Sequence, residues 1–538
     1  MIMNKHSIYG CLLISTLSGQ NLYAQPDIGI QLNQNQFVLG QEAITVSISG
    51  KNTDTAVKAD LHIGLFSPSG KFYALPDWNP TFKPWMSAII LPADFDYPNT
   101  PVMVVNPQQV ELSAGEWIAI SALTEPNSLD VISISQVKFI INQADVTDNA
   151  TVTTDANNLL TDPSIQLRLN LPDSLYQYAN VSLPEYFLIP PTSARHMGGM
   201  MNMGNNDMAV IDYDNTPANN PITDAGATLG RVLFYDKQLS KNDTIACASC
   251  HIQSEGFSDS AVLSKGFAGG LTGRHSMGLS NARFSKRGRF FWDERAATLE
   301  EQVLMPIQDA VEMGLTLEEL VSKVSAQAYY APLFTLAFGD DEITTDRISK
   351  ALAQFVRSLL SIDSKYDHGR AQVKHRDDDF PNFTVEENLG KALFNNPQPL
   401  GGGFCAHCHN TEAFIDASDT VATNNGLDAD TSTDQGIFKT TENVNDQGKF
   451  RVPSLRNIAV TAPYMHDGRF ADLEAVIEHY NSGIQAHPNL SFPLNFAGNP
   501  IRMNFSEEDK AHLIAFLNTL TDDTLLHAKK FSNPFITP

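Results

Sequence analysis

The sequence predicts a multidomain chain: an N-terminal all-β sandwich, immunoglobulin-like in size, followed by two mainly α-helical domains. Three observations carry this. At 538 residues the chain is longer than one hydrophobic core serves. Its first part alternates apolar and polar residues between Gly, Pro, Asn and Asp turns. Its later part carries apolar residues at helical spacing around two Cys-x-x-Cys-His motifs, "CASCH" and "CAHCH". The expected division is a leader (1–24), the sandwich (25–150), a linker with a Met-rich loop (151–219) and two helical domains (220–378 and 379–538).

In the first part, "AITVSIS", "ADLHIGLF", "GEWIAISAL" and "VISISQVKFIIN" read as strands of a sandwich. No catalytic constellation lies there, which leaves targeting or partner docking as its expected role. In the later part, "DRISKALAQFVRSLLSI" places Ile348, Leu352, Phe355 and Leu359 on one helical face. "TVEENLGKALF" opens with Thr384 and Glu387 at capping-box spacing, and "SEEDKAHLIAFLNTL" opens at Ser506 as a C-terminal helix. No repeat beyond the two cysteine motifs is expected.

The balance of 36 basic against 61 acidic residues gives a net charge of −25, which argues against nucleic acid or an anionic membrane as partner. The opening "MIMNKHSIYGCLLISTLSGQNLYAQ" reads as a secretory leader. Lys5 precedes a short apolar core, and cleavage after Ala24 would remove Cys11. Lipid attachment at Cys11 is the alternative, weakened by the little apolar sequence before it. No later run of about 18 apolar residues occurs, so no membrane span is expected. An exported protein, periplasmic or displayed at the surface, follows.

Without Cys11, four cysteines remain: Cys247, Cys250, Cys405 and Cys408, all within the two Cys-x-x-Cys-His motifs. This is the attachment pattern of c-type haem, with His251 and His409 as proximal iron ligands. The helical domains are therefore expected to be cytochrome c-type haem domains, with two covalently bound haem c. His407, inside "CAHCH", reads as a spacer. Residues 195–208, "RHMGGMMNMGNNDM", offer His196, Met197, Met200, Met201, Met203 and Met208, soft ligands suited to Cu(I). A Gly/Asn-rich loop with adaptable methionines is the preferred reading, so copper is not expected. The basic cluster Arg283, Lys286, Arg287 and Arg289 suits haem propionates, an acidic partner or a solvated loop.

Between about 220 and 525, "LGRVLFYDKQLSKNDTIACASCH", "FFWDERAATLEEQVLMPIQDAVEMG", "CAHCH" and "KFRVPSLRNIAVTAPYMHDGRF" follow in order. This arrangement resembles the bacterial dihaem cytochrome c peroxidase superfamily, in its MauG-like branch. The resemblance does not extend to the β-rich region. It implies a peroxidase that reduces hydrogen peroxide at the His251 haem. Electrons would be drawn through Trp292 and the His409 haem from a redox protein partner: a cytochrome c, a cupredoxin, or a protein whose aromatic residues are oxidised.

Residue by residue, the resemblance makes Trp292 the bridge between haems, although the family usually has Gly where this chain has Glu294. It makes Glu312 the distal acid–base, with Gln302 and Pro306 beside it. Family members that need reductive activation have a histidine ligand in the loop here reading "SKGFAGGLTGRHS", where Phe267 or Ala268 stands instead. An open, five-coordinate iron opposite His251 is implied. His275 aligns with an asparagine of the family's interdomain calcium site, which argues against that ion. Thr461 and Pro463, which match its backbone ligands, argue for it.

In "YMHDGRFADLEAVIEHYNSG", Tyr480 stands where peroxidases carry a methionine ligand and MauG-like proteins a tyrosine. A packed core tyrosine, with Met465 or Met503 ligating instead, is the alternative. His466 is expected beside the haem, in hydrogen bonding. The alternatives to the MauG-like function are a conventional peroxidase fed by a small cytochrome or cupredoxin, and a non-enzymatic dihaem electron carrier.

Overall fold

A computed structural model describes residues 26–536 except 33–35, 39–43, 53–55, 67–71, 75–83, 85, 94, 106–114, 127, 129–130, 143–158, 191–208, 286 and 416–421. The leader, the Met-rich loop with its copper candidates, and Lys286 lie outside the described residues. The chain forms two compact units, residues 1–155 and 156–538. Among the described residues no helix is long and apolar enough to cross a membrane.

Among the described residues the first unit holds nine strands, numbered β1 to β9 in chain order. One sheet has the order β1 (Asp27–Leu32), β3 (Ile44–Asn52), β7 (Phe95–Val105). The other runs β2 (Gln36–Val38), β9 (Val131–Asn142), β8 (Gly115–Thr124), β4 (Val57–Phe66), β5 (Phe72–Ala74), with β6 (Met86–Leu91) also paired to β4. Alternation sends Val46 and Ile48 of one sheet and Leu61, Ile63 and Leu65 of the other into one shared core. The four strands expected from the sequence are β3, β4, β8 and β9. The remaining five were not anticipated.

The second unit is helical with long loops. Ile348, Leu352, Phe355 and Leu359 are all buried, as their spacing predicts, on and just after the helix Thr345–Arg357. It packs against Asp224–Tyr235 where Gly230 allows close approach, since a Cβ there would lie 2.0 Å from the Ala351 carbonyl oxygen. The same joint recurs later. In Val385–Asn395, a Cβ on Gly390 would lie 1.9 Å from the His512 carbonyl oxygen of Glu507–Asn518. The expectation of no further repeat is thereby corrected: "LGRVLF" and "LGKALF" precede the two cysteine motifs, and each glycine seats a helix crossing.

Thr384 and Glu387 form the expected capping box, with bonds of 3.2 and 2.7 Å. Two cores result. One gathers Leu229, Leu233, Phe257, Leu352 and Phe355, and the other Tyr366, Phe394, Phe414, Leu513 and Phe516. The stretch expected as linker contributes Ile165, Leu169 and Tyr178 to the first core, and the chain's end adds Leu525 and Phe531.

Candidate active site

Both Cys-x-x-Cys-His motifs form single 3₁₀ turns, Cys247–Ser249 and Cys405–His407, closed by His251 and His409 N–H donation to the Cys247 and Cys405 carbonyls, 3.0 Å each. All four cysteines are unbridged. Burial pushes the thiols of Cys247 and Cys405 up to about 12, opposite to the depression a redox-active Cys-x-x-Cys shows.

The ring Nδ1 of His251 lies 2.8 Å from the Phe257 carbonyl oxygen, and that of His409 3.3 Å from Phe414's. Phe257 and Phe414 both hold left-handed φ, 60° and 53°, so each aims its carbonyl at the imidazole at some conformational cost. This support orients a neutral ring with Nε2 left to ligate. Burial lowers both imidazoles, His409 to about 4. Paired thiols, an oriented imidazole and an adjoining cavity fit a covalently attached haem at each motif.

His251 adjoins a cavity of about 780 Å³ whose wall includes Trp292, Gln302, Pro306 and Glu312, four of the residues singled out by the sequence. Asp309 shapes the Glu312 turn, its Oδ1 accepting from Val311 N–H (2.8 Å) and Glu312 N–H (3.1 Å). Gly266 brings the preceding loop against this turn, since a Cβ there would lie 1.7 Å from the Val311 carbonyl oxygen. Phe267 N–H then donates to the Glu312 carbonyl at 2.9 Å, and the Phe267 ring lies on Gly314. Phe267 therefore braces the glutamate. Burial, then the Asp309 charge, raises the Glu312 carboxyl, with Arg295 opposing.

His409 adjoins a second cavity, of about 240 Å³, lined by Met465, Tyr480 and Met503. Tyr480 sits in a π-helical turn, His479–Gly483, that continues the helix Leu473–Glu478. Such turns recur at functional sites. Asn425 Nδ2 donates toward Tyr480 Oη (3.4 Å) and Met465 Sδ (3.5 Å), bringing two of the ligand candidates to one point. Burial pushes the Tyr480 phenol up to about 12, with Asn425 opposing. His479 Nε2 is bonded to the Asn425 carbonyl at 3.1 Å.

The two cavities share Trp292, His275, Arg451 and His466 as lining residues. Trp292 occupies a tight turn closed by the Phe290–Ala296 bridge. Glu294 in that turn has φ 54°, which explains the glycine usual in the family. Here a 2.6 Å ion pair with Arg287 holds the glutamate. Trp292 Nε1 donates to the His275 carbonyl at 2.9 Å, and its own carbonyl accepts from Arg451 N–H at 2.9 Å. His466 stacks on Phe450, centroids 3.8 Å apart, and meets Trp292 edge-on at 6.4 Å. Phe450, Arg451 and Asn425 were not singled out by sequence reasoning, although the first two lie within the quoted stretch "KFRVPSLRNIAVTAPYMHDGRF".

His275 points Nδ1 at the Ala261 and Val262 carbonyls, 3.2 Å each, and Nε2 at Ser258 Oγ, 3.3 Å. Among the described residues no group of three or more His, Cys, Asp or Glu is gathered for a metal. Thr461 and Pro463 line the His409 cavity. The basic cluster is tied internally, Arg283 to Asp214 and Arg287 to Glu294.

The family model of di-haem cytochrome c peroxidase matches residues 224–374. The methylamine utilization protein MauG of Methylorubrum extorquens is 35% identical over 305 residues, 56% of this chain and 80% of that protein. Cytochrome c551 peroxidase of Nitrosomonas europaea is 33% identical over 314 residues, 55% and 80% of the two chains. Among solved structures, a MauG-like protein associated with microbial copper homeostasis superposes with a TM-score of 0.52 at 34% identity, covering 60% of this chain and 96% of that one. With its paired cysteine turns, oriented histidines and adjoining cavities, the chain belongs to the di-haem cytochrome c peroxidase family that includes MauG, and is a haem peroxidase.

Proposed function

We propose that this is an exported, MauG-like dihaem peroxidase. Hydrogen peroxide is reduced in the His251 cavity, and the electrons come through Trp292 and the His409 half from a redox protein partner. The observation that carries the reading is the shared wall: Trp292 lines both cavities, with Glu312 on one and Tyr480 on the other. Haem c, which Cys247, Cys250 and His251 and Cys405, Cys408 and His409 would hold, would supply redox-active iron for reducing the O–O bond.

The rest falls to the protein. Glu312 would take a proton from one peroxide oxygen and return it to the other, so that water leaves rather than hydroxide. Two electrons and two protons convert one peroxide to two waters. A carboxyl raised by burial exchanges its proton nearer neutral pH than an ordinary glutamate. Gln302 and Pro306 shape the space in which peroxide lies. Phe267, turned onto Gly314, offers no ligand atom where a blocking histidine would stand, and the His251 cavity would remain open to peroxide.

To ligate, Tyr480 would have to lose its phenolic proton, which a phenol raised by burial does only against a cationic metal. An anionic oxygen ligand favours the oxidised states, suiting the His409 half to hold an oxidising equivalent. Met465 and Met503, in the same cavity, support the second reading: a conventional peroxidase fed by a small cytochrome or cupredoxin.

Low-temperature EPR of the oxidised, haem-loaded chain tests the choice. One high-spin and one low-spin ferric signal, both lost on adding peroxide without prior reduction, are expected. Two low-spin signals, unresponsive until one site is reduced, would overturn it.

A further inference from the structure

Most buried arginines of the helical unit have acidic partners, and Arg231 is held instead by the Lys529 and Lys530 carbonyls, at 3.3 and 3.0 Å. Arg456 bonds Asp367 at 2.6 Å, Arg370 bonds Glu412 at 2.9 Å, and Arg357 bonds Glu300 at 2.6 Å. Arg274, at the edge of the His251 cavity, bonds both Asp293 and Asp434 at 2.8 Å. The Arg451 guanidinium has no hydrogen-bonded acceptor among the described residues. Its Cζ lies 5.3 Å over the Phe290 ring, and the carboxylate of Glu294 is bonded to Arg287 at 2.6 Å. Arg451 is nevertheless fixed in place, its backbone N–H held by the Trp292 carbonyl at 2.9 Å. It lines both cavities.

A half-buried guanidinium with no hydrogen-bonded acceptor, facing two cavities, favours an anion beside it. The groups that fit these cavities bring such anions, because each haem carries two propionate carboxylates. We propose that Arg451 is a shared counter-ion, its planar fork binding propionate from both haems and coupling them electrostatically. The inference rests on dihaem occupancy, and it is independent of what oxidises or reduces the haems. A cation between two haems disfavours the ferric state of each, so its removal lowers both potentials. A propionate released from it also becomes free to titrate.

Spectroelectrochemical titration of the haem-loaded full chain, wild type against Arg451→Gln and Arg451→Lys, tests this, with haem content measured alongside. Arg451→Gln is expected to lower both midpoint potentials and make them more pH-dependent. Arg451→Lys, which keeps the charge and loses the fork, is expected to lower both by less. A shift confined to one haem, or no shift, would overturn the proposal. If Arg451→Gln loads poorly, Arg451→Lys decides by the same criterion. A wild-type chain with fewer than two haems would instead remove the dihaem reading on which the proposal stands.

Discussion

Around His251 the cavity wall carries Asp309, Glu312, Asp428, Asp430 and Asp434 together with Arg274, Arg295 and Arg469. Around His409 the charged lining shrinks to Arg451 and Arg456, and Phe404, Val476, Ile477, Leu494 and Phe505 take the remaining space. The proximal sides, by contrast, are built alike: a 3₁₀ turn, a phenylalanine in left-handed conformation, and a carbonyl on the imidazole. Attachment is thus duplicated while the opposite face has diverged. Peroxide reduction consumes protons and needs ionisable groups at hand. Holding an electron or its absence does not, and a dry lining keeps water from reaching the stored equivalent.

The sharpest way to break this division is Tyr480→Met. Axial ligands set haem potentials over a span of ~0.8 V, and a thioether lies on the high side. The variant is expected to raise the potential of the His409 half by a large part of that span, while the His251 half stays within experimental scatter. Potentiometry resolved by haem spectrum checks it. An unchanged His409 potential would mean that Met465 or Met503, not Tyr480, is the ligand.

Glu312→Gln attacks the other side. It keeps the shape and removes the base, so the peroxide rate constant should fall by about 10² to 10⁴-fold. The wild-type rate should rise with pH as Glu312 deprotonates, in a window above that of an ordinary glutamate because burial raises its carboxyl. The variant should lose that limb. Stopped-flow mixing across pH reads both, and a preserved limb would assign the proton to another group.

The halves also differ in how they are braced. Three residues beyond His409, Glu412 accepts from Arg370 Nε (2.9 Å) and the Tyr366 hydroxyl (2.6 Å), while its carbonyl accepts from Arg456. Removing the carboxylate leaves Arg370 buried without its counter-ion, so Glu412→Ala should cost about 3–5 kcal/mol. Glu300 plays a similar part for Arg357 in the first half, but its side chain is 19% exposed, water can replace part of what it gives, and a smaller loss is expected. Denaturant midpoints of the two variants compare them directly.

What the sequence disclosed follows the range of its signals. The cysteine motifs, the capping box at Thr384 and the apolar stripe from Ile348 to Leu359 are local patterns, and the structure contains each one. β7 escaped notice because Pro98 and Pro101 interrupt "FDYPNTPVMVV", and proline argues against a strand interior. "EGF" and "EAF" after the two motifs, and "LGRVLF" and "LGKALF" before them, were legible as repeats. Their meaning, a carbonyl on each imidazole and a glycine at each helix crossing, required coordinates. The shared wall is legible least of all. Phe450 and Arg451 share one loop, His466 and Trp292 come from others, and no spacing rule joins the three.

That wall yields the smallest expected effect and the finest test. Trp292→Phe keeps an aromatic ring between the cavities and removes the indole donor to the His275 carbonyl. One neutral hydrogen bond contributes about 0.5–1.5 kcal/mol, so the loss in stability should stay in that range. The two sides should respond unequally. The peroxide rate at low concentration depends on Glu312 and should change little. The subsequent appearance of oxidation on the His409 half should slow, because phenylalanine is harder to oxidise than indole and no longer hydrogen-bonded to the loop of His275. Single-turnover spectra separate the two phases. If both slow together, Trp292 acts by shaping the His251 cavity. If only the second slows, the indole is the connection between two sites that otherwise differ in charge, ligand and task.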